Sequence, residues 1–205
     1  MAGFLESPSL AAPAWLESLV DPFCTLIGFT KLASVLHIAL IACAASFALQ
    51  TVSHFICPKL FPKTYPKIRA KQDDWDLHVV GWAYALIATP LALDLILHPS
   101  PEIVADPLYG YGLAEGRLAA IATGYFTWDT IVSAKHMNTQ GLGFFLHGIG
   151  CGTAFLFTLK PFLMFCGPNF LIWELSTIFL NIHWYLDKFG LTGTTAQLVN
   201  GVFLL

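Results

Sequence analysis

Apolar runs long enough to cross a membrane alternate along this chain with short polar intervals. From Leu32 to Pro58 no Asp, Glu, Lys or Arg occurs, and about 20 mostly apolar residues suffice to traverse roughly 30 Å of hydrocarbon as a helix. This predicts a first span at about 33–54. A second is expected at about 77–97, carrying Pro90 and Asp94, and a third at about 112–134, carrying Glu115, Arg117 and Asp129. The fourth, at about 142–160, is followed by "CGPN" at 166–169, which reads as a turn, and a fifth runs over about 170–187. "TTAQLVNGVFLL" opens a sixth whose roughly ten apolar residues, at 1.5 Å each, reach about halfway across a bilayer. The expected fold class is therefore all-α integral membrane: a transmembrane helix bundle of five complete spans plus the start of a sixth, in a chain that is cut short at its C-terminus.

Several polar side chains interrupt these runs at helical spacing. Residues three, four and seven apart share a helix face. Glu174, Thr177 and Asn181 in "WELSTIFLNIHW" meet that rule, with Ser176 and His183 on an adjacent strip. Tyr125, Asp129, Ser133 and His136 form a second stripe, spaced four, four and three. In "FFLHGIGCGTAF", His147 stands among Gly148, Gly150 and Gly152, small residues that allow close helix approach in lipid. An Asp, Lys or Arg at the bilayer centre costs about 2.5–3.5 kcal/mol, so such groups must face protein or a wet cavity. The expectation is a shared polar interior lined by Tyr125, Asp129, His147, Glu174, Thr177 and Asn181. Interhelical hydrogen bonding alone is the competing role, and it fits Ser133, Ser176 and Thr177 best. Asp94 with His98 reads as interfacial, Glu115 with Arg117 as solvated at the start of the third span, and His37, His54 and His78 as packing or interfacial residues.

Composition agrees with a membrane protein: 56% of the 205 residues are hydrophobic and 11% charged, against about 25% charged in soluble domains. A net charge of −3 gives no case for nucleic acid. The five cysteines are an odd number without CxxC spacing, which argues against a disulfide framework and a zinc site, so no metal and no cofactor are expected. Residues 1–30 contain no Lys or Arg and no signal-peptide pattern. Within them "AWLESLV" reads equally as a short surface helix or as part of a loosely ordered lead-in. Lys59, Lys63, Lys67, Arg69 and Lys71 follow the first span, whereas the stretch after the second has no Lys or Arg. The positive-inside rule then makes the loop at 59–76 cytosolic and the N-terminus lumenal. The basic loop is read chiefly as an orientation signal, with anionic lipid heads as a second reading.

The run "KLFPKTYPKIRAKQDDWDLHVVG", then "GYFTWD", the His-bearing "FFLHGIG", "WELSTIFLNIHWYLDKFGLTG" and "LVNGVFLL" closely resembles the TLC-domain family. That family includes ceramide synthases, the translocating-chain-associated membrane protein and proteins of lipid homeostasis. The resemblance covers about residues 59–205 and gives a division into a lead-in at 1–30, a first span at 31–58 and a TLC domain at 59–205, incomplete at its C-terminus. It implies a core of about six transmembrane helices, in the endoplasmic reticulum or connected membranes. Ceramide synthases carry two adjacent His in the fourth-span region and His-Asp with a second Asp in the next helix. Here Gly148 follows His147, and Glu174, Ser176, Thr177 and Asn181 stand in the next helix. The resemblance therefore points to a member outside the ceramide synthases.

Three functions follow as expectations. The first is a membrane protein of lipid homeostasis that binds or senses a phospholipid or acyl lipid in the polar cavity, with membrane lipids as partners. The second is an acyltransferase-like enzyme with His147 as general base, aided by Asp129 or Glu174 and using acyl-CoA. The third is a trafficking or translocation adaptor acting through cytosolic loops.

Overall fold

The computed structural model describes residues 2–204, and their regular elements are all helices joined by turns and short loops. Two short 3-10 turns, Ala2–Glu6 and Pro8–Leu10, precede α1 (Ala14–Leu26), α2 (Leu32–Leu60), α3 (Arg69–Leu97), α4 (Pro101–Ala105) and α5 (Leu113–Lys135). Then come α6 (Met137–Gln140), α7 (Leu142–Thr158), α8 (Cys166–Leu171), α9 (Glu174–Lys188) and α10 (Thr195–Val202). Helices α2 and α3, 29 residues each, are long and apolar enough to cross a membrane. Other expected spans fall on helices that are shorter or more charged: α5 has 23 residues, α7 17, α9 15 and α10 8. Two crossings are thus supported by length and composition, fewer than five complete spans and part of a sixth.

The "CGPN" stretch is the N-terminal part of α8 rather than a turn. Pro168 sits in its first turn, where a missing N–H leaves no intrahelical bond unmade. Helix α3 starts eight residues before the apolar run does, because "RAKQDDWD" is charged yet helix-competent, and Arg69 Nε pairs with Asp73 Oδ1 one turn on at 3.0 Å. The start of α10 is set by "TTAQ": the Thr194 hydroxyl accepts from the Gln197 amide at 3.4 Å, while Gln197 Oε1 accepts from Gly193 N at 2.7 Å. This is close to the reciprocal arrangement of a capping box.

Two compact units make up the chain. The first comprises Met1–Ser46 and Pro90–Phe170. Its core joins Val35, Ile38 and Ala39 of α2 to Ala119 and Ala120 of α5, with Ile103, Leu159 and Met164 closing it. Gly124 lets the first half of α2 lie directly on α5, since a Cβ there would strike the Ala39 carbonyl oxygen. Helix α7 packs along α5, with the Phe126 and Phe155 rings stacked at 5.6 Å. Glu115 and Arg117, expected to be solvated, are instead 2% and 4% exposed. Glu115 accepts from Ser100 N at 2.9 Å and Ser100 Oγ at 2.6 Å. Arg117 NH1 donates to the carbonyls of Leu5 at 2.6 Å and Ser7 at 2.8 Å. Leu5 is fully buried, so the beginning of the lead-in is packed into this unit. "AWLESLV" falls in α1, whose Trp15, Leu19, Phe23 and Leu26 are exposed at spacings of four, four and three, a single apolar face.

The second unit comprises Phe47–Thr89 and Leu171–Leu205. Trp75 is its centre, 1% exposed and ringed by Phe61, Tyr65, Trp184, Tyr185 and Phe189 at centroid distances of 5.4–6.2 Å. Most of these contacts are edge-on or tilted, the arrangement that the charge distribution of aromatic rings favours. Helix α10 is tied to α9 by Asn200 Nδ2, which donates to the Phe179 carbonyl at 2.8 Å.

Candidate functional site

In the first unit, α5 and α7 carry three of the residues singled out from sequence. Tyr125 is buried, its ring 5.0 Å from Phe126 and 5.5 Å from Trp128. Asp129 is half-buried and lies against Gly148: a Cβ at that glycine would approach Asp129 Oδ2 to 2.9 Å and Thr130 Oγ1 to 2.8 Å. The absence of a side chain at Gly148 is therefore what brings the Asp129 carboxylate up to the backbone of α7, one residue from His147. His147 itself is exposed, with its ring 5.9 Å from Phe126 and both ring nitrogens 3.7 Å from Cys151 Sγ.

In the second unit, α9 carries the other three. Glu174 and Thr177 are half-buried and Asn181 is 3% exposed. Asn181 Nδ2 donates to the Thr177 carbonyl at 2.8 Å, and His78 Nδ1 donates to Asn181 Oδ1 at 2.7 Å. The His78 ring stacks on Trp184 at 3.9 Å. His183, from the adjacent strip, accepts from Gln197 Nε2 at 3.3 Å. Thus Asn181 meets His78, which reads from sequence as a packing or interfacial residue.

The same unit holds a cluster that sequence reasoning missed. Asp76 is 2% exposed and accepts three hydrogen bonds. Ser53 Oγ donates at 2.6 Å, His54 Nδ1 at 2.9 Å and Tyr65 OH at 3.3 Å. On the far side of the imidazole, Arg69 NH1 donates to His54 Nε2 at 2.6 Å. A guanidinium can only donate, so Nε2 is the acceptor and Nδ1 carries the proton: the ring is the neutral tautomer that points its N–H at Asp76. Burial pushes the Tyr65 phenol above the usual tyrosine range, and the neighbouring Asp76 charge and hydrogen bond push it further. His54 and Asp76 are 22 residues apart on two helices. No local motif marks them; the one available signal was an Asp and a His placed near facing ends of consecutive spans.

An apolar pocket of about 440 Å³ adjoins this cluster. Cys57, Phe61, Trp75 and Val79 line one side, with Trp82, Ile182, Tyr185, Leu186 and Phe189 completing it. Cys57 Sγ is 3.4 Å from Ser53 Oγ, and the Tyr65 ring is 5.6 Å from Trp75, so cluster and pocket are continuous. Its size lies in the range of small-molecule sites, and its walls offer hydrocarbon and aromatic surface. Among the described residues, no group of three or more His, Cys, Asp or Glu is placed to hold a metal ion.

Comparison with known proteins places these features in a family. Residues 74–205 match the family model described as TLC domain. A TLC domain-containing protein of Schizosaccharomyces pombe is 34% identical over 94% of this chain and 66% of its own length. Topoisomerase I damage affected protein 4 of Saccharomyces cerevisiae is 28% identical over 77% of the chain and 58% of its own length. TLC domain-containing protein 4-A of Xenopus laevis is 29% identical over 69% and 57%. The chain thus spans roughly three-fifths of the length of these relatives. No solved structure matches it. The family match covers well over half of the residues, including α5, α7 and α9 with Asp129, His147 and Asn181, and the chain belongs to the TLC domain family.

Proposed function

We propose that the chain is a multi-pass membrane protein of lipid homeostasis, outside the ceramide-synthase branch, that binds or senses a phospholipid or acyl lipid. The observation that carries this reading is the aromatic pocket of the second unit, which offers a lipid tail an apolar wall beside a hydrogen-bonded polar cluster. Exposed apolar side chains on α2, including Leu40, Ile41, Phe55 and Ile56, suit contact with lipid tails. Within the first unit Lys31 N donates to the Leu159 carbonyl, so the start of α2 meets the end of α7. Within the second, Trp75 near the start of α3 meets Trp184 near the end of α9. Both contacts fit helices that alternate in direction, as repeated crossing requires. The exposed stripe of α1 fits an interfacial helix in the lead-in at 1–30. A first span at 31–58, a TLC domain at 59–205, a lumenal N-terminus, a cytosolic loop at 59–76 and residence in the endoplasmic reticulum complete the proposal.

Filling the pocket tests it. Full-length protein with Val79→Phe and Ile182→Phe is purified beside the wild type, and its bound lipids are quantified by mass spectrometry. A several-fold drop in co-purified lipid, with helix content unchanged by circular dichroism, is the expected result; an unchanged lipid inventory overturns the pocket reading.

A second reading, acyl transfer with His147 as general base, is favoured by the contact of Gly148 with Asp129. Lipidomics of membranes expressing full-length wild type, His147→Ala or Asp129→Asn at equal abundance separates the two. Loss of a lipid product in His147→Ala at normal protein level supports the enzyme; unchanged lipid profiles leave binding as the function.

A further inference from the structure

The polar cluster beside the pocket has a property that simple packing does not require. Asp76 is buried, but the chain of bonds it begins does not end in the interior. It passes through His54 to Arg69, whose side chain is 66% exposed. Because His54 accepts from Arg69 as a neutral ring, it fixes the guanidinium without cancelling its charge. Asp73 holds Nε from one side at 3.0 Å. A guanidinium carries five N–H donors in a planar fork, and these two bonds use two of them. The arrangement leaves the other donors of a pre-positioned guanidinium free to bind, and the chain of bonds runs from it through His54, Asp76 and Ser53 to Cys57 in the pocket wall.

The surrounding charge has the matching sign. From Lys59 to Lys71 the chain carries Lys59, Lys63, Lys67, Arg69 and Lys71 with no carboxylate, and all five are exposed. The nearby acids are Asp73, Asp74 and Asp76. The first pairs with Arg69, the second lies 4.0 Å from His78 Nε2, and the third is buried on Ser53, His54 and Tyr65. The excess is positive. Clusters of four or more basic residues next to a membrane span attract anionic lipid heads.

The geometry points to a single amphipathic site for an anionic glycerophospholipid, with one acyl tail in the pocket of Trp75, Trp82 and Tyr185 and the phosphodiester on Arg69. This rests on the reading of that pocket as a lipid site. Asp76 and His54 are positioning residues: they aim the guanidinium and touch no lipid. Arg69 exceeds a lysine here because its fork meets two phosphate oxygens at once.

Native mass spectrometry of the full-length protein in neutral detergent tests the site, with dioleoylphosphatidylglycerol and dioleoylphosphatidylcholine as probes of equal tail. The wild type should retain the anionic lipid about fivefold more tightly, the scale of one basic residue at an anionic surface. Arg69→Gln should bring the ratio to about one, Arg69→Lys should restore part of it, and His54→Phe should lower it with Arg69 still present. Arg69 is exposed, so a cooperative unfolding transition of Arg69→Gln with a midpoint within a few degrees of the wild type confirms an intact fold. Equal retention of the two lipids by the wild type, or an Arg69→Gln ratio equal to that of the wild type, overturns the headgroup assignment while leaving the pocket. Retention of neither lipid removes the pocket reading itself. Displacement of the anionic lipid by inorganic phosphate alone, at millimolar concentration, would assign the fork to a soluble anion and overturn the lipid site.

Discussion

Two carboxylates, one in each compact unit, are equally buried at 2% exposure and have opposite surroundings. Glu115 in the first unit accepts from the backbone and hydroxyl of one residue, Ser100, which precedes α4. It acts as a surrogate cap for that short helix, and its interactions end there. Asp76 in the second unit accepts from three side chains, one of which hands the connection on to an exposed arginine. Burial by itself therefore says little about role. What distinguishes a carboxylate that holds a turn from one that organises a surface is where the donors it satisfies lead.

The contrast is sharpest when each acid is removed. Asp76→Ala leaves the hydroxyls of Ser53 and Tyr65 and the imidazole N–H without their acceptor, and should lower stability by about 3 kcal/mol, seen as a drop in the unfolding midpoint in detergent. A change within about 0.5 kcal/mol, the range of an ordinary surface substitution, would show that the cluster is not a structural centre. Glu115→Ala leaves one buried backbone N–H and one hydroxyl, with an expected loss of about 2 kcal/mol. In a double-mutant cycle Ser100→Ala should remove only the hydroxyl share of that loss, because the Ser100 N–H still needs Glu115, whereas Asp76→Asn should couple to Arg69→Gln by about 0.5 kcal/mol or more through the intervening ring. Additivity of the second pair would break the comparison, because Asp76 would then be as closed as Glu115.

Tyr65→Phe removes a single donor from Asp76 and should cost about 1 kcal/mol. The smallest effect is one of pH. Burial and Asp76 favour the neutral phenol in the folded state, so the unfolded chain releases that proton first. The contribution is intact below about pH 10, the ordinary tyrosine value, and falls as pH rises beyond it. Wild type should lose stability more steeply than Tyr65→Phe in that alkaline window, and parallel unfolding curves would remove the predicted ionisation difference.

The hydropathy pattern made the helices legible. Expected spans at 33–54, 77–97, 112–134 and 142–160 lie on helices at 32–60, 69–97, 113–135 and 142–158. The largest difference is at the start of α3, where the helix outruns the apolar window through Lys71, Asp73 and Asp74, because charged residues do not end a helix although they do end a hydrophobic run; α7 instead stops at Thr158, two residues short of the expected span. The polar stripe of α9 could be read from spacing; of its members Asn181 is buried, while Glu174 and Thr177 are half-buried. Its partner was not, since His78 lies 103 residues away. Glu115 and Arg117 looked solvated for the same reason. Their partners are Ser100 and the carbonyls of Leu5 and Ser7, and nothing in the neighbourhood of either charge announces them.

The grip of Arg117 on those two carbonyls makes the segment around Leu5 and Ser7 a component of the helical core. Trimming the chain back to its first long helix would leave a permanently charged, buried group without the amide oxygens that now accept from it. A reporter sequence is better tolerated after Leu10, in the extended link to α1, than spliced between Leu5 and Ser7.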